Sequence, residues 1–146
     1  MTPEQMSQAI DDTWAAYTAG DVDAFVAGCA ADVVYCDNGR DTQIHGRDAF
    51  RNYVSGWIVA SSDRRAMPFR KTIDGDRVAT ELRLELTHDR APMYGVEPAG
   101  AKLAFEFVMI ADFADGEIVK ITAYYNAAVG FQALGLLGDL PTTPGG

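Results

Sequence analysis

Between Arg77 and Thr87 the chain alternates strictly. Val78, Thr80, Leu82, Leu84 and Leu86 fall on one side, and Arg77, Glu81, Arg83 and Glu85 on the other. A two-residue period belongs to a β-strand with one buried and one wet face, the mark of an antiparallel sheet. Leu103, Phe105, Phe107, Met109, Ala111 and Phe113 make a second such face. The opposite side of that run, Ala104, Glu106, Val108, Ile110 and Asp112, is half apolar, which predicts that it too is covered, by a second copy of the chain. Met67–Ile73 is predicted as a strand ended by Asp74-Gly75-Asp76. Asp115-Gly116 is a hairpin turn, and Glu117–Tyr125 the last strand.

The N-terminal third has a helical period instead. Thr2 is a cap, Pro3 fits the first helical position and Gln5 completes a capping box. Met6, Ile10, Thr13, Trp14 and Tyr17 then recur on one side until Gly20. Asp21 opens a short second helix with Phe25, Val26 and Cys29 inward. Val33–Asp37 follows as a strand, then a polar loop, then a third helix from Gly46 with Phe50, Tyr53, Val54, Trp57 and Ile58. Phe131–Leu137 is predicted as a closing helix. Helices first and strands in succession give an α+β fold. The expected architecture is a curved antiparallel sheet wrapped around the N-terminal helices, a cone with a central pocket. One domain spans residues 1–140, and 141–146 form a frayed tail.

A formal charge of −9 argues against nucleic acid and anionic membrane surfaces as partners. No apolar run is long enough to span a bilayer, and the N-terminus carries no signal-peptide pattern. Cys29 and Cys36 match no disulfide framework, zinc or redox spacing, and are read as reduced thiols of a cytoplasmic protein. The two histidines, His45 and His88, are too far apart to form a metal site. With no phosphate loop or nucleophile motif either, no cofactor is inferred.

Chemistry concentrates in Val33-Val34-Tyr35-Cys36-Asp37-Asn38-Gly39. Val33, Tyr35 and Asp37 share a face. If that face is internal, an acid ends a strand inside an apolar wall and can serve as a base. Asp-Asn-Gly is equally a turn sequence in which the aspartate bonds nearby amides. Both readings stand open on the residues alone.

The stretches Tyr17-Thr18-Ala19-Gly20-Asp21-Val22-Asp23, Ala30-Ala31-Asp32-Val33-Val34-Tyr35, Gly46-Arg47-Asp48-Ala49-Phe50 and Asp115-Gly116-Glu117-Ile118-Val119 resemble the nuclear-transport-factor-two-like superfamily. Within it, Gly95-Val96-Glu97-Pro98-Ala99-Gly100 and Ala133-Leu134-Gly135-Leu136-Leu137 resemble the SnoaL-like polyketide cyclases. The resemblance implies the cone-shaped cystatin-like roll. Its functional positions carry over unevenly. The ketosteroid isomerase base falls on Asp37, while that enzyme's two oxyanion donors, a tyrosine and a protonated aspartate, fall on Thr13 and Met109. The cyclase aspartate falls on Ala123 and a second on Asn126. The acid-arginine-acid set of epoxide hydrolase relatives falls on Leu82, Leu84 and Ala123.

The expectation is therefore a cofactor-independent isomerase or cyclase acting by proton abstraction on a small hydrophobic carbonyl compound. Asp37 is its base, and Tyr35 or Tyr17 the donor that steadies the enolate oxygen. Tyr35 lies about 7 Å from Asp37 along the strand. Trp14, Tyr53, Trp57, Phe107, Met109, Asn126 and His88 are expected to contact the ligand. His88 is placed at the cone's mouth as a proton carrier or a solvated loop residue, and Asn126 bonds a ligand carbonyl or caps the final helix. The rival expectation is a binding protein of the same fold without chemistry. A third is a dimerisation module using the face of Val108 and Ile110.

Overall fold

Helix α1 (Pro3–Ala19) starts at the expected capping box: the Thr2 hydroxyl accepts from the Gln5 amide and the Gln5 side chain accepts from the Thr2 amide. It stops at Gly20, whose φ of 82° is open to glycine at little cost. A Cβ there would collide with the Arg64 guanidinium. That guanidinium donates to carbonyls of Tyr17, Ile58 and Ser61, tying off the ends of two helices. The computed structural model describes residues 1–145.

The remaining elements are α2 (Val22–Val26), β1 (Cys29–Asp37), β2 (Thr42–His45), α3 (Arg47–Val59), β3 (Arg65–Asp74), β4 (Arg77–His88), β5 (Ala101–Ala114), β6 (Glu117–Tyr125) and α4 (Ala127–Ala133). The strands form a six-stranded sheet in the order β2-β1-β6-β5-β4-β3. Helices α1 and α3 pack against β3 and β1, and α4 against β5. The α+β cone is the architecture expected.

Four local expectations are corrected. The sheet is mixed, because β1 pairs with β6 in parallel. A chain that leaves β1 through α3 and returns by the β3–β6 meander arrives beside β1 running the same way. The polar loop after β1 contains β2, an edge strand whose one apolar residue, Ile44, offers no alternation to read. Cys29 opens β1 rather than sitting on α2, which ends at Val26 before a turn at Ala27-Gly28. The last helix is displaced toward the N-terminus: Asn126 caps it and Gly135, at φ 79°, follows it. Residues 141–145 are exposed and outside helices and strands, and Gly146 lies outside the described residues. Among the described residues no helix is long and apolar enough to cross a membrane.

The core lies between sheet and helices. Met6, Ile10 and Trp14 of α1 and Phe50, Val54 and Ile58 of α3 meet the inner faces of β4, β5 and β6. Leu82 sits at its centre with no exposed surface. Leu82→Ala is expected to lower the unfolding free energy by about 2–5 kcal/mol, transfer plus cavity. Thr2→Ala is expected to lower it by about 1 kcal/mol, the worth of a cap. Urea unfolding of both variants checks the contrast.

Candidate functional site

Asp37 ends β1 on the inner face, fully buried. Its neighbour on β6 is Ala123, whose neighbour on β5 is Met109, whose neighbour on β4 is Thr80. These four side chains form one row across the sheet, and Asp37 is its only acid. Carboxylates beside one another repel and force one to stay protonated. The row here avoids that conflict by holding alanine and methionine where the resemblance places other family acids.

Three donors converge on Asp37. Oδ1 accepts from the Arg40 backbone amide at 3.0 Å, closing the turn, and Oδ2 accepts from the hydroxyls of Tyr53 at 2.5 Å and Tyr125 at 2.9 Å. Asp37 is therefore both inward and part of the turn: one oxygen serves the turn and the other faces two phenols from α3 and β6. Arg40 Nη1 donates in turn to the Tyr53 hydroxyl at 2.8 Å. Burial, with the hydrogen bond and charge of Asp37 beside them, raises both Tyr53 and Tyr125 well above the ordinary phenol range.

Tyr125 is held on three sides. Its ring stacks on Phe107 at 5.1 Å and on Phe105 at 5.8 Å. Its third side is the backbone at Gly39, where a Cβ would lie 2.5 Å from the tyrosine ring. Gly39 is needed for room, since its φ is not in the left-handed region.

In front of Tyr125 lies a narrow cavity of about 60 Å³. Of the residues singled out in the sequence, Trp14, Tyr17, Trp57, Phe107 and Asn126 line it, together with Arg40, Tyr94, Tyr125 and Phe131. Five expected site residues do not. Tyr35 is stacked on Phe50 at 4.7 Å and crowded by Tyr53 and Trp57, and its buried hydroxyl has no hydrogen-bond partner among the described residues, Asp37 included. Met109 lies deeper, in the row of Asp37. Tyr53 acts on Asp37 rather than on the cavity. His88 is neither a loop residue nor at the mouth: it ends β4, fully buried, with Nε2 2.7 Å from the Ala91 carbonyl. Asp37 itself does not touch the cavity; Tyr125 stands between them. Asn126 lines the cavity and caps α4 through its side-chain oxygen.

Arg40, Tyr94 and Phe131 meet at the rim. The Arg40 guanidinium lies 4.5 Å from the centre of the Tyr94 ring, and Tyr94 meets Phe131 edge-on at 5.2 Å. Tyr94 sits at φ 51°, in the left-handed region that a bulky residue seldom takes, within the tight turn from Met93 to Val96. Tyr125 is legible in the sequence as the third inward residue after Ile121 and Ala123. Arg40 and Tyr94 are loop residues with no periodicity to mark them. Among the described residues no cluster of His, Cys, Asp and Glu could hold a metal ion.

The model of the SnoaL-like polyketide cyclases matches residues 4–134. The chain belongs to this family. Among solved structures, AclR, a proposed hydroxylase of Streptomyces galilaeus, superposes with a TM-score of 0.82 at 22% identity over 97% of this chain and 91% of its own. A proposed SnoaL-like polyketide cyclase from Jannaschia sp. CCS1 gives 0.83 at 15% identity, over 94% and 98%. A hypothetical protein with a ketosteroid isomerase-like fold from Catenulispora acidiphila DSM 44928, in complex with trimethylamine, gives 0.74 at 20% identity, over 97% and 100%. At these identities the likeness is one of fold. No curated protein matches the chain.

The buried phenols of this SnoaL-like chain have a measurable consequence. Burial pushes Tyr17 from 10.0 up to about 12, and holds Tyr35, Tyr53 and Tyr125 above the ordinary range as well. The unfolded chain ionises its tyrosines near 10, so the stability these groups lend is whole below that pH and is lost as pH rises through the folded values. Stability is expected to fall steeply from about pH 10 to 12. The tyrosinate absorbance of the native protein is expected to lag behind that of the unfolded chain until the structure opens. A native titration that overlays the unfolded one would contradict the burial.

Proposed function

We propose that this protein is a cofactor-independent enzyme of the isomerase or cyclase kind, acting by proton transfer on a small hydrophobic carbonyl compound held in the aromatic cavity. One observation carries the reading: a fully buried carboxylate bonded to the phenol that separates it from that cavity. Asp37 is the base, and Tyr125 the group that meets the ligand. The bond from the ligand's α-carbon to hydrogen breaks, its proton passes to the Tyr125 oxygen, and the Tyr125 proton passes to Asp37 Oδ2. The electron pair left behind forms the enolate, and return of the proton at another carbon completes an isomerisation. A neutral phenol suits this relay, since Tyr125 is held protonated at rest. The cavity as it stands has room for a few waters, so a ring-bearing ligand enters by displacing the Phe131 side chain that lines it.

A second reading, a binding protein without chemistry, is favoured by the placement of Asp37 behind the wall and by methionine and alanine at Met109 and Ala123. Deuterium wash-in at the α-carbon of an aromatic ketone separates the two. Asp37→Asn and Tyr125→Phe are each expected to slow exchange by about 10²–10⁴-fold. Wild-type exchange no faster than buffer, with the ketone still bound, would leave only the binder.

The same proposal takes the protein to be cytoplasmic, with its two buried thiols free, and to pair with a second copy through the outer sheet face. There Tyr124, 49% exposed, lies beside Val108, and Thr122 beside Ile110. Val108→Lys is expected to convert a dimer to a monomer on size exclusion. An unchanged elution volume would remove this face from the assembly.

A further inference from the structure

We infer that the ligand carries an ionised oxygen, a carboxylate or an enolate on an apolar ring system, and that Arg40 is the residue that selects it. The inference rests on the cavity being the ligand site. Apart from Arg40 and the end of Asn126, the wall is built of rings and aliphatic side chains. A guanidinium against such a wall loses hydration, and the structure gives it little in return. Among the described residues Arg40 has no carboxylate within ion-pair distance, and a single guanidinium N–H, on Nη1, has a protein acceptor, the Tyr53 hydroxyl. Arg64, by contrast, spends its guanidinium on three carbonyls.

Two features hold Arg40 in place without neutralising it. Tyr94, in its left-handed turn, offers a ring face to the cation, and a flat cation over a ring keeps its in-plane N–H groups available. Asp37 reaches the guanidinium only through Tyr53 and is itself supplied with three donors.

A wall whose cation has N–H groups to spare is matched by a ligand bearing oxygen acceptors. The overall charge of −9 makes the assignment sharper, because the surface as a whole repels anions and only a local cation can reverse that preference.

Calorimetric titration of the full chain with 2-naphthoate and with its neutral isostere 2-naphthamide tests the assignment. Wild type is expected to bind the carboxylate at least about ten-fold more tightly, the scale of one charge-assisted fork. Arg40→Gln is expected to abolish the difference while still binding the amide, and Arg40→Lys, which keeps the charge but not the fork, to retain part of it. Equal affinities in wild type, or a preference that survives in Arg40→Gln, would overturn the role of Arg40 and leave the cavity as a ligand site. Binding of neither compound would overturn the cavity as a site for aromatic ligands, and this inference with it.

Discussion

A single buried charge organises this molecule. Removing a carboxylate from water is costly, and Asp37 is tolerated inside the cone because three donors reach it. They come from the turn after β1, from α3 and from β6. The bonds that make the interior stable therefore also set the arrangement of the site. An α3 displaced by more than about 1 Å would stretch the Tyr53 contact out of hydrogen-bond range, and a slipped register between β1 and β6 would lose Tyr125. Fold and site share the same few bonds.

The arrangement separates charge from ligand space. Behind Tyr125 lies a polar knot of one acid and its donors; in front lies a cavity walled by rings. The Phe105 and Phe107 stack on one side and Gly39 on the other leave the Tyr125 ring little freedom. That restraint is what a proton relay needs, since transfer depends on donor and acceptor staying near 3 Å apart. In the proposed relay, a phenol reaching forward takes the place of a carboxylate further along the sheet, where this row holds alanine and methionine.

Strong periodicity makes most of the architecture readable. The alternation in β4 and β5, the capping box of α1 and the inward face of β1 each appear in the structure where the residues place them. What escapes is whatever lacks a period or depends on distant pairing. Strand β2 is four residues with one apolar side chain, and the parallel direction of β6 against β1 follows from topology. The inward turn of Asp37 is legible from Val33 and Tyr35. The idle hydroxyl of Tyr35 is not, because whether a core phenol finds a partner depends on neighbours from three other elements. Arg40 and Tyr94 are the clearest case: both lie in loops, and only the folded chain brings them together.

The parallel seam between β1 and β6 sets an order of events. Tyr125 follows Asp37 by 88 positions, so during synthesis the acid emerges long before the phenol that will shield it. Until the last strand docks, the carboxylate is hydrated and the roll lacks its central staple. Joining partners so remote in the chain is slow, as loop closure must precede any gain from pairing. Dehydration of that one charge thus waits for β6, and a nascent chain halted before that strand holds β2-β1 and β5-β4-β3 as two unjoined pieces with the acid still wet.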